Sequence, residues 1–184
     1  MSTTKAQRFG IWVIAIVLTV GTLAGFIAMI LAPQNEATDQ AKAQKEYTEA
    51  LKKQADEARK TNKPLAGFSA SPFDKDSVKK LKVEVLTQGS GAAAKATSTV
   101  TANYFGWDAS GQIFDSTNKK GKVAPIDFSL AEVITGWTKG LTGVKEGSVV
   151  RLTIPGSQAY GDADTGTGRP FGPLKFIVEL KKVK

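Results

Sequence analysis

A chain of 184 residues with 25 Lys and Arg against 17 Asp and Glu carries a formal net charge of +8 and contains neither Cys nor His. Disulfides, thiolate nucleophiles, imidazole bases and the commonest transition-metal ligands are thereby excluded, and with them Ser/His/Asp and Cys/His hydrolases and any ordinary zinc site. The lysines are dispersed among acids rather than clustered with exposed aromatics, so the charge reads as a solvated surface, and no nucleic-acid partner is expected.

Residues 1–8 are short and basic, with Lys5 and Arg8, and from Phe9 to Ala32 no charged residue occurs. At 1.5 Å rise per residue such a run crosses a hydrocarbon core of about 30 Å, so residues 9–32 are expected to be a transmembrane signal anchor. Lys5 and Arg8 precede it while Glu36 and Asp39 follow it. The positive-inside rule then puts the amino terminus in the cytoplasm and everything after Pro33 outside, a single-pass cell-membrane protein. A cleaved signal peptide would have a shorter apolar core and a small-x-small end; here Ile30 stands where a small residue is needed, and Pro33 follows the cut.

Residues 33–72 are expected to be a helical stalk and a linker. Gln34 to Lys63 is rich in Ala, Lys, Gln and Glu, with Glu/Lys pairs at helical spacing. Ala37, Ala41, Thr48, Leu51, Ala55 and Ala58 fall near a heptad seam, but small residues bury little there and Gln44 interrupts it. A monomeric spacer is favoured over a stalk-mediated dimer. The stretch from Pro64 to Pro72 has the Pro, Gly and Ser of a linker, which places a domain over residues 73–184.

Within that domain the period changes to two. Leu81, Val83 and Val85 alternate with Lys82 and Glu84, and Val150, Leu152 and Ile154 alternate with Arg151 and Thr153, predicting half-buried strands. Further strands are expected over 99–107, 113–116, 126–130 and 174–183, with turns such as Asp108-Ala109-Ser110-Gly111 between them. One short helix, about 133–141, carries Ile134, Trp137 and Leu141 on a shared face. The expected fold class is α+β, a mostly antiparallel sheet curled over one helix.

The segments Tyr104-Phe105-Gly106, Gly111-Gln112-Ile113-Phe114-Asp115-Ser116, Val133-Ile134-Thr135-Gly136-Trp137, Gly140 to Gly147, Ile154-Pro155, Ala159-Tyr160-Gly161 and Leu174 to Leu180 follow one another in the order and approximate spacing of a known family. From Leu81 to the carboxy terminus the chain resembles the FKBP-type peptidyl-prolyl cis/trans isomerases. The resemblance implies a curved antiparallel sheet around a short helix with a hydrophobic pocket between them. It also implies that Tyr104, Phe114, Val133, Ile134, Trp137, Tyr160 and Phe176 line that pocket, with Trp137 as its floor and Asp115 as the carboxylate at its edge. The Ile134 N–H and the Tyr160 hydroxyl match the family's donors to a bound prolyl ligand. Ile126 and Phe128 lie where better-known members carry two aromatics, so Ile126 makes one wall aliphatic. The loop 161–173 lacks the family's usual Ile-Pro-Pro segment, and Phe171 is the apolar residue available to replace it.

Rotation about an X-Pro bond crosses a barrier of roughly 18–20 kcal/mol because it breaks amide resonance. An apolar pocket that desolvates the amide, with a donor aimed at the rotated carbonyl, lowers that barrier without cofactor, metal, acid or base. The resemblance implies a substrate of proline-containing unfolded or exported polypeptides. The alternative reading is a proline-directed binding or holdase module without turnover. Taken singly, Trp137, Phe114 and Phe176 are what any small β core would use.

Overall fold

The computed structural model describes residues 36–184. The chain divides into two units, Met1–Ala50 and Leu51–Lys184. The expected anchor, residues 9–32, lies outside the described residues; among these no helix is long and apolar enough to cross a membrane.

Helix α1 (Glu36–Thr61) follows from the Ala-, Glu-, Lys- and Gln-rich composition. Arg59 and Lys60 in its last turn complement the helix dipole and pair with Asp56 and Glu57 three residues back. Its residues up to Ala50 belong to the first unit and the rest to the second.

In the second unit β1 (Asn62–Lys63), β2 (Lys82–Thr87), β3 (Thr99–Trp107), β4 (Ile113–Ser116), β5 (Asn118–Lys119), β6 (Lys122–Val123) and β7 (Ile126–Ser129) precede the short helix α2 (Thr135–Leu141); β8 (Val149–Ile154) and β9 (Leu174–Val183) follow it. The main sheet is antiparallel throughout, in the order β2-β8-β9-β3-β4, with β7 also on β3. Strand β3 is its axis. Along one side it pairs with β9, and on the other it pairs with β4 at Phe105–Trp107 and with β7 at Thr99–Ala102. A small second sheet runs β1-β5-β6.

The expected α+β class and all the expected main strands are present, with ends shifted by no more than two residues. Period-two alternation divides the side chains between two cores. Val100, Ala102 and Tyr104 of β3, Val150, Leu152 and Ile154 of β8, and Leu174, Phe176, Val178 and Leu180 of β9 pack inward with Trp137 and Leu141 of α2. Gly136 lets α2 lie close against β8: a Cβ there would stand 2.3 Å from Ile154 Cγ2. Alternate residues Phe105, Trp107 and Ile177 face outward.

That outer face is covered by the stretch read as a linker. Leu65 is only 6% exposed and joins Phe105, Trp107 and Ile177 in a second apolar cluster, with Phe68, Ala70 and Phe73 packed against it. Polar groups fix the same segment: Trp107 Nε1 donates to Ser71 O (3.0 Å), Ser116 Oγ to Lys63 O (2.6 Å) and Asn118 Nδ2 to Pro64 O (2.7 Å). The folded unit therefore begins before Phe73, because the sheet's outward rings need an apolar cover. Strand β2 departs from the expected half-burial in another way. It is an edge strand paired only with β8, and Val83 and Val85 remain 40% and 49% exposed while Leu81 and Leu86 carry its packing.

Candidate active site

The expected aromatic residues converge on the inner face of the sheet. The Trp137 ring, presented by the first turn of α2, lies edge-on to Tyr104 (centroids 5.1 Å, 88°) and to Phe176 (5.3 Å, 87°), and 5.0 Å from Phe128. Phe114 meets Phe176 edge-on at 5.5 Å, and Tyr104 meets Phe128 at 6.4 Å. Edge-to-face contacts lock rings that belong to five separate elements. Ile126, Val133 and Ile134 are partly buried against the same cluster. Trp137 Nε1 is buried without a hydrogen-bond partner among the described residues.

A bulge in β4 places Asp115 beside this cluster. Strand β3 pairs Gly106 with Asp115 and Trp107 with Ile113, so Phe114 is the extra residue. Ile113 packs on the outer core, Phe114 packs on the inner one, and Asp115 accepts from the hydroxyl of Tyr104. Two consecutive side chains thus serve one face, which plain alternation forbids.

The Asp115 carboxylate is tied on both oxygens. Oδ2 takes the Tyr104 hydroxyl, while Oδ1 accepts from Ser116 N (2.8 Å) and Lys119 Nζ (2.9 Å). Burial, then the Asp115 charge and hydrogen bond, hold the Tyr104 hydroxyl well above the usual phenol range, so it stays a donor. Thr117 secures the Tyr104 backbone: its Oγ1 accepts from Tyr104 N at 2.9 Å and its N donates to Tyr104 O at 2.8 Å.

Two further expected donors lie on other elements. Ile134 sits just before α2 in extended geometry (φ −58°, ψ 145°), and its carbonyl accepts from Trp137 N at 2.8 Å. Its own N–H has no acceptor among the described residues. Tyr160 follows a short 3₁₀ turn, Gly156–Gln158, and is 41% exposed. Desolvation and then the Asp115 charge raise its pKa, against the opposing pull of Arg169, whose guanidinium lies 5.5 Å from its ring. Phe171, the expected substitute contact of the loop, is 47% exposed.

The pattern of the FKBP-type peptidyl-prolyl cis-trans isomerase family matches residues 90–181, half of the chain. A Neisseria meningitidis serogroup A protein described as FK506-binding protein is 38% identical over 104 residues, 56% of this chain and 95% of that protein. The chain belongs to this family. The Escherichia coli K12 FKBP-type isomerase FkpA is 40% identical over 104 residues; the match spans 56% of this chain and 38% of that relative's length. The crystal structure of Escherichia coli FkpA superposes with a TM-score of 0.51 at 29% identity, covering 100% of this chain and 84% of that one.

In this FKBP-type chain, the candidate site residues Tyr104, Phe114, Asp115, Ile126, Phe128, Trp137 and Phe176 pack into, or bond to, one continuous group of side chains. Tyr160 stands apart on the loop side: its ring contact is with Arg169, and the Asp115 charge contributes, after desolvation, to its raised pKa. Lys119 and Asn62 were not read from the sequence. Lys119 Nζ bridges Asp115 Oδ1 and Asn62 Oδ1 (2.6 Å), a contact made where the chain passes from β4 to β5, which neither a helical nor a strand period signals.

Proposed function

We propose that this chain isomerises X-Pro bonds in unfolded polypeptides, seating the prolyl ring against Trp137 within the box of Tyr104, Phe128, Phe114 and Phe176. The observation that carries this reading is the combination of a closed aromatic floor with an unpaired backbone donor, the Ile134 N–H, at its edge. An apolar floor strips water from the amide and weakens the resonance that opposes rotation; the Ile134 N–H and the Tyr160 hydroxyl are then available to the displaced carbonyls. Asp115, held by Tyr104, Ser116 and Lys119, contributes a fixed negative field along one edge. The uncharged run Phe9–Ala32 further supports a membrane-anchored enzyme whose folded unit faces exported chains outside the bilayer.

The test is the cis-to-trans rate of a set of X-Pro tetrapeptides with the full chain in detergent. Strong acceleration is expected, with Tyr160→Phe lowering kcat/KM about tenfold, the loss of one hydrogen bond worth roughly 1–1.5 kcal/mol. No acceleration by folded wild type would overturn the enzyme reading and leave a proline-binding module. Resistance of the chain to alkaline carbonate extraction from membranes, lost when residues 9–32 are removed, checks the anchor.

A further inference from the structure

Strands β1 and β5 pair Asn62 directly with Lys119, at the point where α1 ends. The pairing is only two residues long, yet it sets the two side chains next to each other across the ladder. Asn62 is 7% exposed; its Oδ1 accepts from Lys119 Nζ at 2.6 Å, and its Nδ2 has no partner among the described residues. Lysine is donor only, so the amide oxygen must face it, and the buried amide nitrogen is left unmatched. An apolar side chain of that size would avoid the unmatched donor. The use of Asn62 therefore lies in its oxygen, which fixes the head of Lys119.

Lys119 needs fixing. Its pair with Asp115 is about half exposed on both sides, and a pair of that kind adds little stability and leaves a four-carbon stem free to wander. With Asn62 holding the ammonium on a second side, the Lys119 head stays on Asp115 Oδ1 while Tyr104 holds Oδ2. We propose that Asn62 is a positioning residue of the site, acting through Lys119 to hold the Asp115 carboxylate in one direction. The inference rests on the isomerase reading above, in which that carboxylate supplies a fixed field, and a field contributes to turnover only if its direction is preorganised.

The experiment is a double-mutant cycle on the full chain, read as kcat and KM with a proline tetrapeptide. Asn62→Leu and Lys119→Met are each expected to lower kcat three- to tenfold with KM within twofold of wild type. The double variant is expected to be no slower than the slower single one. Asn62→Asp, which keeps an acceptor for Lys119 and loses only the Nδ2 amide group that has no partner among the described residues, is expected to stay within twofold of wild type. A purely structural role would lower the unfolding midpoint and leave kcat of the folded protein unchanged. Losses that multiply in the double variant, or an Asn62→Leu rate within twofold of wild type, would overturn the inference while leaving the isomerase reading intact. A folded wild type without turnover would overturn both. If Asn62→Leu does not fold, Asn62→Ser, too short to reach Lys119, takes its place in the cycle with the same expected and overturning results.

Discussion

Tyr104 is the residue on which the inner core and the candidate site meet: its ring packs on Trp137 and Phe128, and its hydroxyl donates to Asp115. Since burial and Asp115 raise its pKa above the ordinary value of 10.0, the folded chain keeps this proton at alkaline pH where the unfolded chain has begun to lose it. Unfolding then releases a proton, and stability falls as pH rises through and above about 10, by at most about 1.4 kcal/mol per pH unit for one such group. Tyr104→Phe should therefore flatten the decline in urea midpoint between about pH 9 and 11 relative to wild type. Comparing variant with wild type cancels Lys175, whose pKa desolvation and then Arg151 and Lys82 depress and whose effect has the opposite sign. Parallel declines would show that the hydroxyl is not held as described. Trp137 gives a second prediction at this scale. Trp137→Ala removes the common partner of three rings and should cost about 3–5 kcal/mol, whereas Trp137→Phe also removes an unmatched buried N–H and should cost less than half of that. Chemical denaturation of the two variants checks the ratio. These aromatics were legible in the sequence because their types and order are unusual. Asn62 was not, because a single polar residue at a helix end carries no signal until the strand pairing shows what stands opposite.

Strands were legible as elements because Gly and Asn/Asp turns punctuate short apolar runs: β3, β4 and β9 carry the boundaries expected from the sequence. The β4 bulge was invisible to that argument, since an inserted residue is defined by the partner strand and not by its own neighbours. Also illegible was the contact between the end of α1 and the loop 161–173. Arg59 Nη2 donates to Gly168 O at 2.8 Å, and a Cβ on Gly168, at φ +76°, would stand 2.7 Å from Ala55 Cβ and 3.0 Å from Lys52 Cα. The loop thus fits against the helix only because this residue is glycine. Gly168→Ala combines a left-handed backbone strain with a close contact to helix backbone, and should cost about 1–3 kcal/mol. The cost should be local. Hydrogen exchange over residues 51–61 and cleavage within 161–173 should both accelerate, while exchange on β8 and β9 is unchanged. Uniform acceleration across the sheet would instead mean that helix end and loop are not a separate cooperative element.

At the scale of the whole folded unit, the sheet has two apolar faces and needs two covers. Helix α2 supplies the inner one, and the segment carrying Leu65, Phe68 and Phe73 supplies the outer one against Phe105, Trp107 and Ile177. Proline, glycine and serine made residues 64–72 read as a linker, and its apolar residues follow neither a helical nor a strand period. Such a segment packs by fitting rings already in place, so its role is legible only once the outward alternation of β3 and β9 has been counted as a debt of exposed aromatic surface. Phe105 and Trp107 lie stacked at 5.2 Å, and without the cover both would face water. A chain from Phe73 to Lys184 should then be less stable than one from Leu51 to Lys184 by at least about 3 kcal/mol, the scale of losing a buried leucine together with its neighbours, out of a total typically near 5–15 kcal/mol. Leu65→Ala in the longer chain should reproduce about 2–3 kcal/mol of that difference, because Leu65 is the most buried member of the cover. Urea unfolding of the three proteins, followed by tryptophan fluorescence, measures this directly. Equal midpoints for the two chain lengths would mean that the outer cluster contributes nothing to the fold, and that the unit does begin at Phe73.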